Sequence, residues 1–511
     1  MFHLDGRNSV LPNKYVIGTR GSLLALTQCT QIKNKLEELT GDQFELKIIK
    51  TEGDENTEKP LWQLDGKDFF TKELDAALLK GEVDLVVHSY KDLGSERPEG
   101  ILLAAITERF HAEDILLFPK NLPEQKKRSI IVGTSSPRRM VNLKRYLPSI
   151  FPFNPEVSTE NLRGNVNTRI EKLRAGNFDA ICLALAGIER LAQSEDSLKQ
   201  LEKLLDGLDF MVLPSTLLPS AASQGALGIE CLETRKDLIP KLQTVHHEMT
   251  AKEMKSERAA FQSYGGGCHL AVGIQANLSD GKIIRVEKGE VDGEVVDKVI
   301  IEGCELKVER PIFIGMNAQE VDENDSYDKL VLKESFQAEE ELDQKTKLFV
   351  SSRHCLETLP KYKDHPLFCS GTSTMKKLAK AGYLVHGCAD FRGVNSINEI
   401  SRSKAVQLML GGDFPWKVLT NEESKSELGD TIACYRRKIA EVDSGYEEEL
   451  QKINSFFWTS FPQYKIFAEK YPFLKEKKHY CGLGKTYRAF QKAGIQVSPV
   501  PSIKEFKEAS K

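Results

Sequence analysis

A lysine and an aspartate stand side by side shortly after an apolar run, and their types could do chemistry together. The run covers residues 83–87, and Lys91 and Asp92 follow it. Such a run predicts a short buried strand, whose carboxyl end is where open α/β sheets bind ligands. A neighbouring cation favours an ionised carboxylate, so Asp92 is a candidate acid–base group. A strand that runs into a charged surface turn would have the same sequence, and this stretch taken alone favours that turn.

Arginines recur where predicted strands give way to predicted helices. They are Arg20, Arg138, Arg139, Arg163, Arg169 and Arg190. A guanidinium binds a carboxylate through two parallel hydrogen bonds, so several at one sheet edge would hold a polyanion. Scattered surface arginines are common in proteins, but repeated placement at such junctions favours a binding site.

Two further stretches could bind or react. Ser22 follows a glycine at a predicted helix start, where free backbone N–H groups could hold an anion, although an ordinary helix cap is more common. Three glycines at 265–267 precede Cys268, and such a flexible backbone could present the thiol in a cleft. A helix end followed by a buried cysteine fits the second stretch equally well.

The elements that must position these groups alternate between strand and helix. Strand patterns cover 15–18, 44–49 and 83–87, with helical patterns between them, and the same order recurs from 130 to 185. This alternation predicts parallel sheets. Residues 224–230 return to a strand pattern, and short alternating strands from 270 to 314 predict a small α+β unit.

The last third of the chain is organised differently. Residues 317–347 are acidic and poorly patterned, which predicts a linker. A weak internal repeat follows, because 348–382 and 456–494 both read as strand, helix, strand, threonine-capped helix and glycine. With strands predicted at 416–420 and 431–437, this part predicts two similar α/β lobes.

Composition restricts the class of protein. The 511 residues are too many for one core, and the net charge of −4 argues against a general affinity for nucleic acid or a bilayer surface. Ten cysteines form no C-x-x-C pair, which is typical of reduced thiols rather than of a disulfide or zinc framework. We therefore expect a cytoplasmic protein without metal, membrane or nucleic-acid partners. Separately from these features, we expect a monomer.

Residues 15 to about 310 resemble the porphobilinogen deaminase (hydroxymethylbilane synthase) family over nearly its whole length. The matching stretches are IGTRGS at 17–22 with Gln28, FTKEL at 70–74, VVHSYKD at 86–92, GTSSPRR at 133–139, LRGNVNTR at 162–169, AGIER at 186–190, QGALG at 224–228 and GGC at 266–268. Two positions differ from the family pattern. Gln63 stands where the family usually has a lysine, and residues 219–224 differ from the short sequence that the family usually has near the hinge between the lobes.

This resemblance implies an activity and a cofactor. Four porphobilinogen molecules would be joined head to tail with loss of ammonia, on a dipyrromethane cofactor thioether-linked to Cys268, with Asp92 as the catalytic carboxylate. Implied cofactor-binding residues are Cys268, Lys91, Thr134, Ser136, Arg138 and Arg139. Implied substrate-binding residues are Arg20, Ser22, Gln28, Phe70, Arg163, Arg169 and Arg190.

Residues 347–511 resemble the uroporphyrinogen-III synthase family more faintly. The resemblance rests on the serine-ending strands, the helix starts near Gly371 and Gly482, and Tyr435-Arg436-Arg437. It implies closure of hydroxymethylbilane to uroporphyrinogen III, with Tyr435 and Thr486 as contacts. The family's first strand and helix are not recognisable before residue 348.

The two resemblances together predict an α/β architecture with defined domains. We expect two lobes like periplasmic binding proteins, at 1–108 with 209–232 and at 109–208, and a small α+β domain at 233–315. An acidic linker at 316–346 and a two-lobed synthase-like domain at 347–511 would follow. The alternatives are a deaminase with a degenerate C-terminal interaction module, and a non-enzymatic carboxylate-binding protein on the same fold.

Overall fold

The computed structural model describes residues 12–51, 71–94, 96–267, 270–317 and 325–511, and the strands of this part form five sheets. We call them sheets A to E. Sheets A, B and C belong to the first part of the chain and sheets D and E to the last. None of the described helices combines the length and the apolar character that a membrane span requires.

Sheet A is assembled from two separated parts of the chain. Its strands are β1 (Lys14–Thr19), β2 (Gln43–Ile48), β3 (Leu85–Ser89), β4 (Ile101–Ile106) and β10 (Leu227–Leu232), in the order β2-β1-β3-β10-β4. Strand β1 is parallel to β2 and β3, whereas β10 is antiparallel to β3 and β4. Its helices are α1 (Leu23–Thr40) and α2 (Lys72–Leu79). Helix α1 begins where predicted, because the Ser22 hydroxyl accepts the Ala25 N–H at 3.3 Å.

Sheet B has the same mixed design. Its strands are β5 (Asp114–Pro119), β6 (Ser129–Gly133), β7 (Glu156–Glu160), β8 (Ala180–Ala184) and β9 (Leu208–Val212), in the order β7-β6-β8-β5-β9. Its helices are α3 (Pro137–Tyr146), α4 (Val166–Arg174), α5 (Leu185–Gln193) and α6 (Glu195–Leu205). The predicted assignment of residues 209–232 to the first lobe is wrong at its start, because β9 pairs with β5.

Two connections join sheets A and B. The first crossover, residues 107–113, leads from β4 to β5, and the second crossover, residues 213–226, leads from β9 back to β10. A small antiparallel unit follows them. It contains α7 (Ile239–Gln243), α8 (Glu248–Ser263) and sheet C, built from β11 (Ala271–Ser279), β12 (Lys282–Val291) and β13 (Glu294–Ile301).

Sheet D begins earlier than the sequence predicts. Its strands are β14 (Ile312–Ile314), β15 (Ser326–Tyr327), β22 (Ser455–Trp458), β23 (Lys478–Gly482) and β24 (Ser498–Val500), and all pairs are parallel. Its helices are α12 (Ser444–Lys452), α13 (Phe461–Lys470), α14 (Lys485–Lys492) and α15 (Ile503–Glu508). Strand β14 was expected in the small domain, but it pairs with β22.

Sheet E completes the C-terminal half, which we define as residues 312–511. Its strands are β16 (Val331–Ser335), β17 (Lys347–Val350), β18 (Leu367–Cys369), β19 (Gly387–Cys388), β20 (Trp416–Asn421) and β21 (Asp430–Ile439). Its helices are α9 (Thr372–Lys380), α10 (Val394–Arg402) and α11 (Lys404–Leu410). The linker expected at 316–346 is therefore wrong, because β15 and β16 lie within it.

The C-terminal half packs on sheet B through shared apolar cores. In one cluster Leu116 and Val132 of sheet B lie with Leu348 and Leu419 of sheet E. A second cluster likewise joins both sheets. Burial of this apolar surface is the main free-energy gain that holds the two parts of the chain together.

Candidate functional site

A cleft of about 840 Å³ opens between sheets A and B at the carboxyl ends of β1, β3 and β8. This is the edge where the sequence predicts a ligand site. The predicted site residues that line it are Arg20, Ser22, Gln28, Lys91, Asp92, Arg139, Arg163, Arg169 and Arg190. The cleft therefore gathers one carboxylate and several cations from segments that are far apart in the chain.

Lys91 and Asp92 stand in a single turn of 3₁₀ helix directly after β3. The side chain of Asp92 is exposed to the cleft, whereas Lys91 is half-buried beside it. Lys91 Nζ donates to Gln224 Oε1 at 3.3 Å. Burial lowers the pKa of Lys91, and the Asp92 carboxylate opposes that effect. Behind this turn, Gln28 Nε2 donates to Ser89 Oγ at 3.0 Å, which ties α1 to the end of β3.

The opposite wall of the cleft is positively charged. Burial, followed by the charges of Arg139 and Arg163, lowers the pKa of Arg169 to about 10. Burial also lowers the pKa of Arg190 to about 10. Arg190 Nη2 donates to the Gly225 carbonyl at 2.6 Å, and its Nε is buried with no hydrogen-bond partner among the described residues. Cations held so close together stabilise a bound polyanion.

Asp114 connects this wall to the turn that carries Lys91 and Asp92. Its carboxylate accepts hydrogen bonds from Arg138 Nη1 at 2.8 Å and from Arg139 Nη2 at 2.6 Å. It also accepts from Gln224 Nε2 at 2.9 Å, and Gln224 is the residue that binds Lys91. Asp114 and Gln224 were not predicted as site residues, although Gln224 opens the QGALG stretch.

Three predicted cofactor-binding residues lie outside the set that lines the cleft. Arg138 is buried and donates to Asp114 and to the Pro219 carbonyl, at 2.8 Å each. Thr134 is also buried, and its hydroxyl accepts the N–H of Ser136, the residue that precedes α3. The structure therefore brings Arg139 to the cleft surface but directs Arg138 inward.

A buried cluster of charged side chains lies at the neighbouring strands β3 and β10. Arg97 donates to Asp75 at 2.5 Å and to Glu230 at 2.7 Å, and His88 lies 3.3 Å from Glu230. The arrangement of Asp75, His88 and Glu230 resembles a metal-ligand set. However, the Arg97 guanidinium already supplies the positive charge that a cation would bring, so we interpret the cluster as structural.

The remaining predicted residues divide into two groups. Gln63, Phe70 and Cys268 lie outside the described residues. Tyr435 is buried in β21 of sheet E, where burial raises its pKa, and Thr486 lies in the first turn of α14 beside sheet D. Hydroxyl residues also follow the parallel strands of both sheets: Ser351 and Ser352 follow β17, and Thr459 and Ser460 follow β22.

Comparison with known proteins gives one clear result. Residues 15–240 match the family model "Porphobilinogen deaminase, dipyromethane cofactor binding domain", so the chain carries that cofactor-binding domain. The porphobilinogen deaminase of a Nitratiruptor species is 40% identical over 289 residues, which are 55% of this chain and 84% of that protein. A probable porphobilinogen deaminase of Archaeoglobus fulgidus is 34% identical over 58% of this chain and 98% of its own length.

One solved structure resembles part of this chain at low sequence identity. The uroporphyrinogen-III synthetase of Helicobacter pylori covers 38% of this chain and 96% of its own, with 16% identity and a TM-score of 0.28.

Proposed function

Because this chain belongs to the porphobilinogen deaminase family, we propose that its cleft joins four porphobilinogen molecules head to tail into hydroxymethylbilane and releases ammonia. The observation that carries the proposal is the placement of the Asp92 carboxylate in one cleft with Lys91 and five arginines. Each pyrrole of the substrate bears two carboxylates, so the product gains negative charge with every addition. The arginines that line the cleft supply positive charge that would bind these carboxylates.

Asp92 is the proposed catalytic residue. Loss of ammonia leaves a cationic azafulvene, which a carboxylate in contact with it stabilises electrostatically. The same carboxylate can hold the proton of the pyrrole N–H while the new carbon–carbon bond forms. Arg20, Arg163 and Arg169 bind the acetate and propionate groups that orient the reacting carbons.

The cleft residues fit a dipyrromethane. Arg139 and Lys91 line the cleft and would hold its carboxylates, and the buried Arg190 Nε, which has no hydrogen-bond partner among the described residues, would donate to one of them. When bound, this group supplies the pyrrole carbon onto which the first substrate molecule is joined. We assign its attachment to Cys268, which follows the helix end at Ser263 and three glycines with positive φ.

Replacement of Asp92 tests the mechanism. Asp92→Asn should fold normally, since the side chain is exposed, and should lower kcat by about 10²–10⁴. Asp364→Asn, at another exposed aspartate, should behave like the wild type in the same ammonia-release assay. Unchanged turnover of Asp92→Asn would refute the assignment. An intact mass that shows no covalent adduct would point instead to a carboxylate-binding protein.

For the C-terminal half we propose uroporphyrinogen-III synthase activity. The observation in its favour is a pair of mostly parallel sheets in which hydroxyl residues directly follow strands β17 and β22, at the edge where α/β folds bind ligands. Hydroxymethylbilane closes to the wrong isomer without an enzyme, so a tethered second enzyme would gain from a high local concentration. Isomer analysis of the product tests this proposal. A product that contains only uroporphyrinogen I would contradict it and would favour an interaction module as the role of the C-terminal half.

A further inference from the structure

The C-terminal half contacts both crossovers that connect the two lobes of the cleft. On the first crossover, Glu113 accepts a hydrogen bond from Arg392 Nη1, and the Glu113 side chain is 5% exposed. On the second crossover, Thr216 donates from its N–H to Asp390 Oδ2 at 2.7 Å and from its hydroxyl to Asp390 Oδ1 at 2.5 Å. Two residues of one short turn, Asp390 and Arg392, therefore hold both connections.

The conformation of this turn indicates that the contacts define it. Asp390 has a φ of +53°, which residues with a Cβ adopt at a cost of about 1 kcal/mol or more. Such a conformation persists only where its surroundings stabilise it, and the two hydrogen bonds from Thr216 do so here. The contact with the second crossover thus stabilises the conformation of this turn.

A third contact reaches the cleft wall itself. Glu189 of α5 is buried, and its Oε2 accepts the Ser403 hydroxyl at 2.5 Å and the Ala405 N–H at 3.0 Å, at the start of α11. The next residue is Arg190, which lines the cleft. The same pattern occurs at residues 113 and 114, where Glu113 pairs with Arg392 and Asp114 pairs with Arg139, which lines the cleft. Neighbouring residues thus link the C-terminal half to the catalytic surface.

The buried groups at this junction act on one another. Burial, together with the charges of Arg392 and Arg190, lowers the pKa of His111 in the first crossover to about 4, although the Glu189 carboxylate opposes that effect. Sheets B and E also meet edge to edge, because Val212 N–H donates to the His386 carbonyl at 2.8 Å. The C-terminal half therefore contacts both crossovers and α5 through polar groups, and it packs on sheet B through apolar ones.

We propose that Asp390 and Arg392 are positioning residues for porphobilinogen condensation, contributed by the C-terminal half to the interlobe hinge of the cleft. The inference rests on the proposed deaminase activity. Asp92 is carried by sheet A, whereas Arg139, Arg163, Arg169 and Arg190 are carried by sheet B, so the crossovers set the distance between the carboxylate and those cations. Repeated addition at one carboxylate requires the lobes to move, and such motion is absorbed by a few connecting residues. Fixing both connections sets how far and how often that motion occurs.

The test uses the full chain with Arg392→Ala, Arg392→Lys and Arg488→Ala. Arg488 also joins the two parts of the chain, but it does so through Asp280 of the small unit, at 3.0 Å, rather than through either crossover. Arg392→Ala should lower kcat about tenfold, which is the size of a typical coupling between two sites. Its KM should stay within about twofold of the wild-type value. Arg392→Lys should recover most of that loss, and Arg488→Ala should match the wild type.

A second readout separates hinge motion from simple loss of stability. Intact mass spectrometry after limiting porphobilinogen counts the substrate units retained on each protein molecule. Arg392→Ala should shift this distribution towards fewer units, whereas a merely destabilised protein would lower the active fraction and leave the distribution unchanged. A wild-type distribution and kcat for Arg392→Ala would overturn the inference.

If Arg392→Ala fails to fold, a second variant still tests the inference. Thr216→Val deletes only the hydroxyl bond to Asp390 and should give a smaller shift in the same direction; wild-type behaviour of this variant would then overturn the inference. A wild-type protein that retains no porphobilinogen would instead contradict the deaminase proposal itself, so the two failures can be told apart.

Discussion

Replacement of Asp114 by asparagine should destabilise the protein strongly, because this carboxylate is the ion-pair partner of two buried guanidinium groups. Its side chain is 1% exposed, and it accepts hydrogen bonds from Arg138, from Arg139 through two nitrogens and from Gln224. An asparagine of the same size carries no charge and would turn an N–H group towards a guanidinium donor. Loss of one partner from a buried ion pair costs about 3–5 kcal/mol, and we expect Asp114→Asn to lie in that range.

The pH dependence of this loss identifies its electrostatic origin. Although burial alone would raise it, the guanidinium groups of Arg138 and Arg139 hold the pKa of Asp114 well below its usual value of 3.8. A carboxyl group with a lowered pKa in the folded state contributes stability above its unfolded pKa and loses it as the pH falls towards the folded pKa. The difference between wild type and Asp114→Asn should therefore be full at pH 7 and shrink below about pH 4.

Urea unfolding followed by circular dichroism measures both effects. Glu334→Gln is the matched control, since Glu334 pairs with Arg436 on the surface, where the two side chains are 49% and 54% exposed, and its loss should leave the urea midpoint unchanged. An Asp114→Asn variant with the wild-type midpoint at pH 7 would refute the view that Asp114 holds the cleft wall together.

Three further predictions concern the cleft, the second crossover and sheet D. Arg169→Ala should raise KM for porphobilinogen about tenfold with a smaller change in kcat, measured by steady-state kinetics, because one carboxylate loses a charge-assisted partner. Gly225→Ala should lower the free energy of unfolding by about 2 kcal/mol in urea, because Gly225 has a φ of +94° and a Cβ there would lie 2.6 Å from the Phe110 carbonyl; a wild-type midpoint would contradict this. Burial lowers the pKa of His479 to about 4, so the unfolded chain binds more protons between that pH and 6.5, and stability should fall by up to about 3 kcal/mol as the pH drops through this window. His479→Asn, which keeps an acceptor for the Trp458 indole N–H, should flatten that part of the profile of thermal midpoint against pH, and an unchanged profile would exclude His479 as its source.

Much of the site could be predicted from local sequence because its chemistry is attached to the ends of regular elements. Most of the apolar run before Asp92 forms β3, and Ser22 caps α1 through a contact only three residues away. The same rule places Arg20 after β1 of sheet A and Arg163 after β7 of sheet B, since the carboxyl ends of parallel strands in one sheet meet at one edge. The tertiary structure then makes these two edges face each other across the cleft.

Partners that are distant in the chain could not be predicted in this way. The acidic stretch at 316–346 was expected to be a linker, because β15 and β16 contain only two and five residues and carry little periodicity. They are strands because partners elsewhere complete their hydrogen bonds; β16 pairs with β21 about a hundred residues later, between Val331 and Ile439. The placement of β9 in sheet B has the same cause, since apolar alternation does not identify the neighbouring strand.

The amino-acid sequence by itself determined the alternation of strands and helices in the first part of the chain, the family and the residue types gathered at the cleft, because these depend on local patterns and on short stretches read residue by residue. Only the tertiary structure decided that Arg138 turns inward to Asp114 while Arg139 reaches the cleft, and that Glu113 meets Arg392 across 279 residues of chain. The physical reason is that a buried charge must find its partner in space, and the free energy of that pairing depends on the packing of whole sheets rather than on neighbours along the chain.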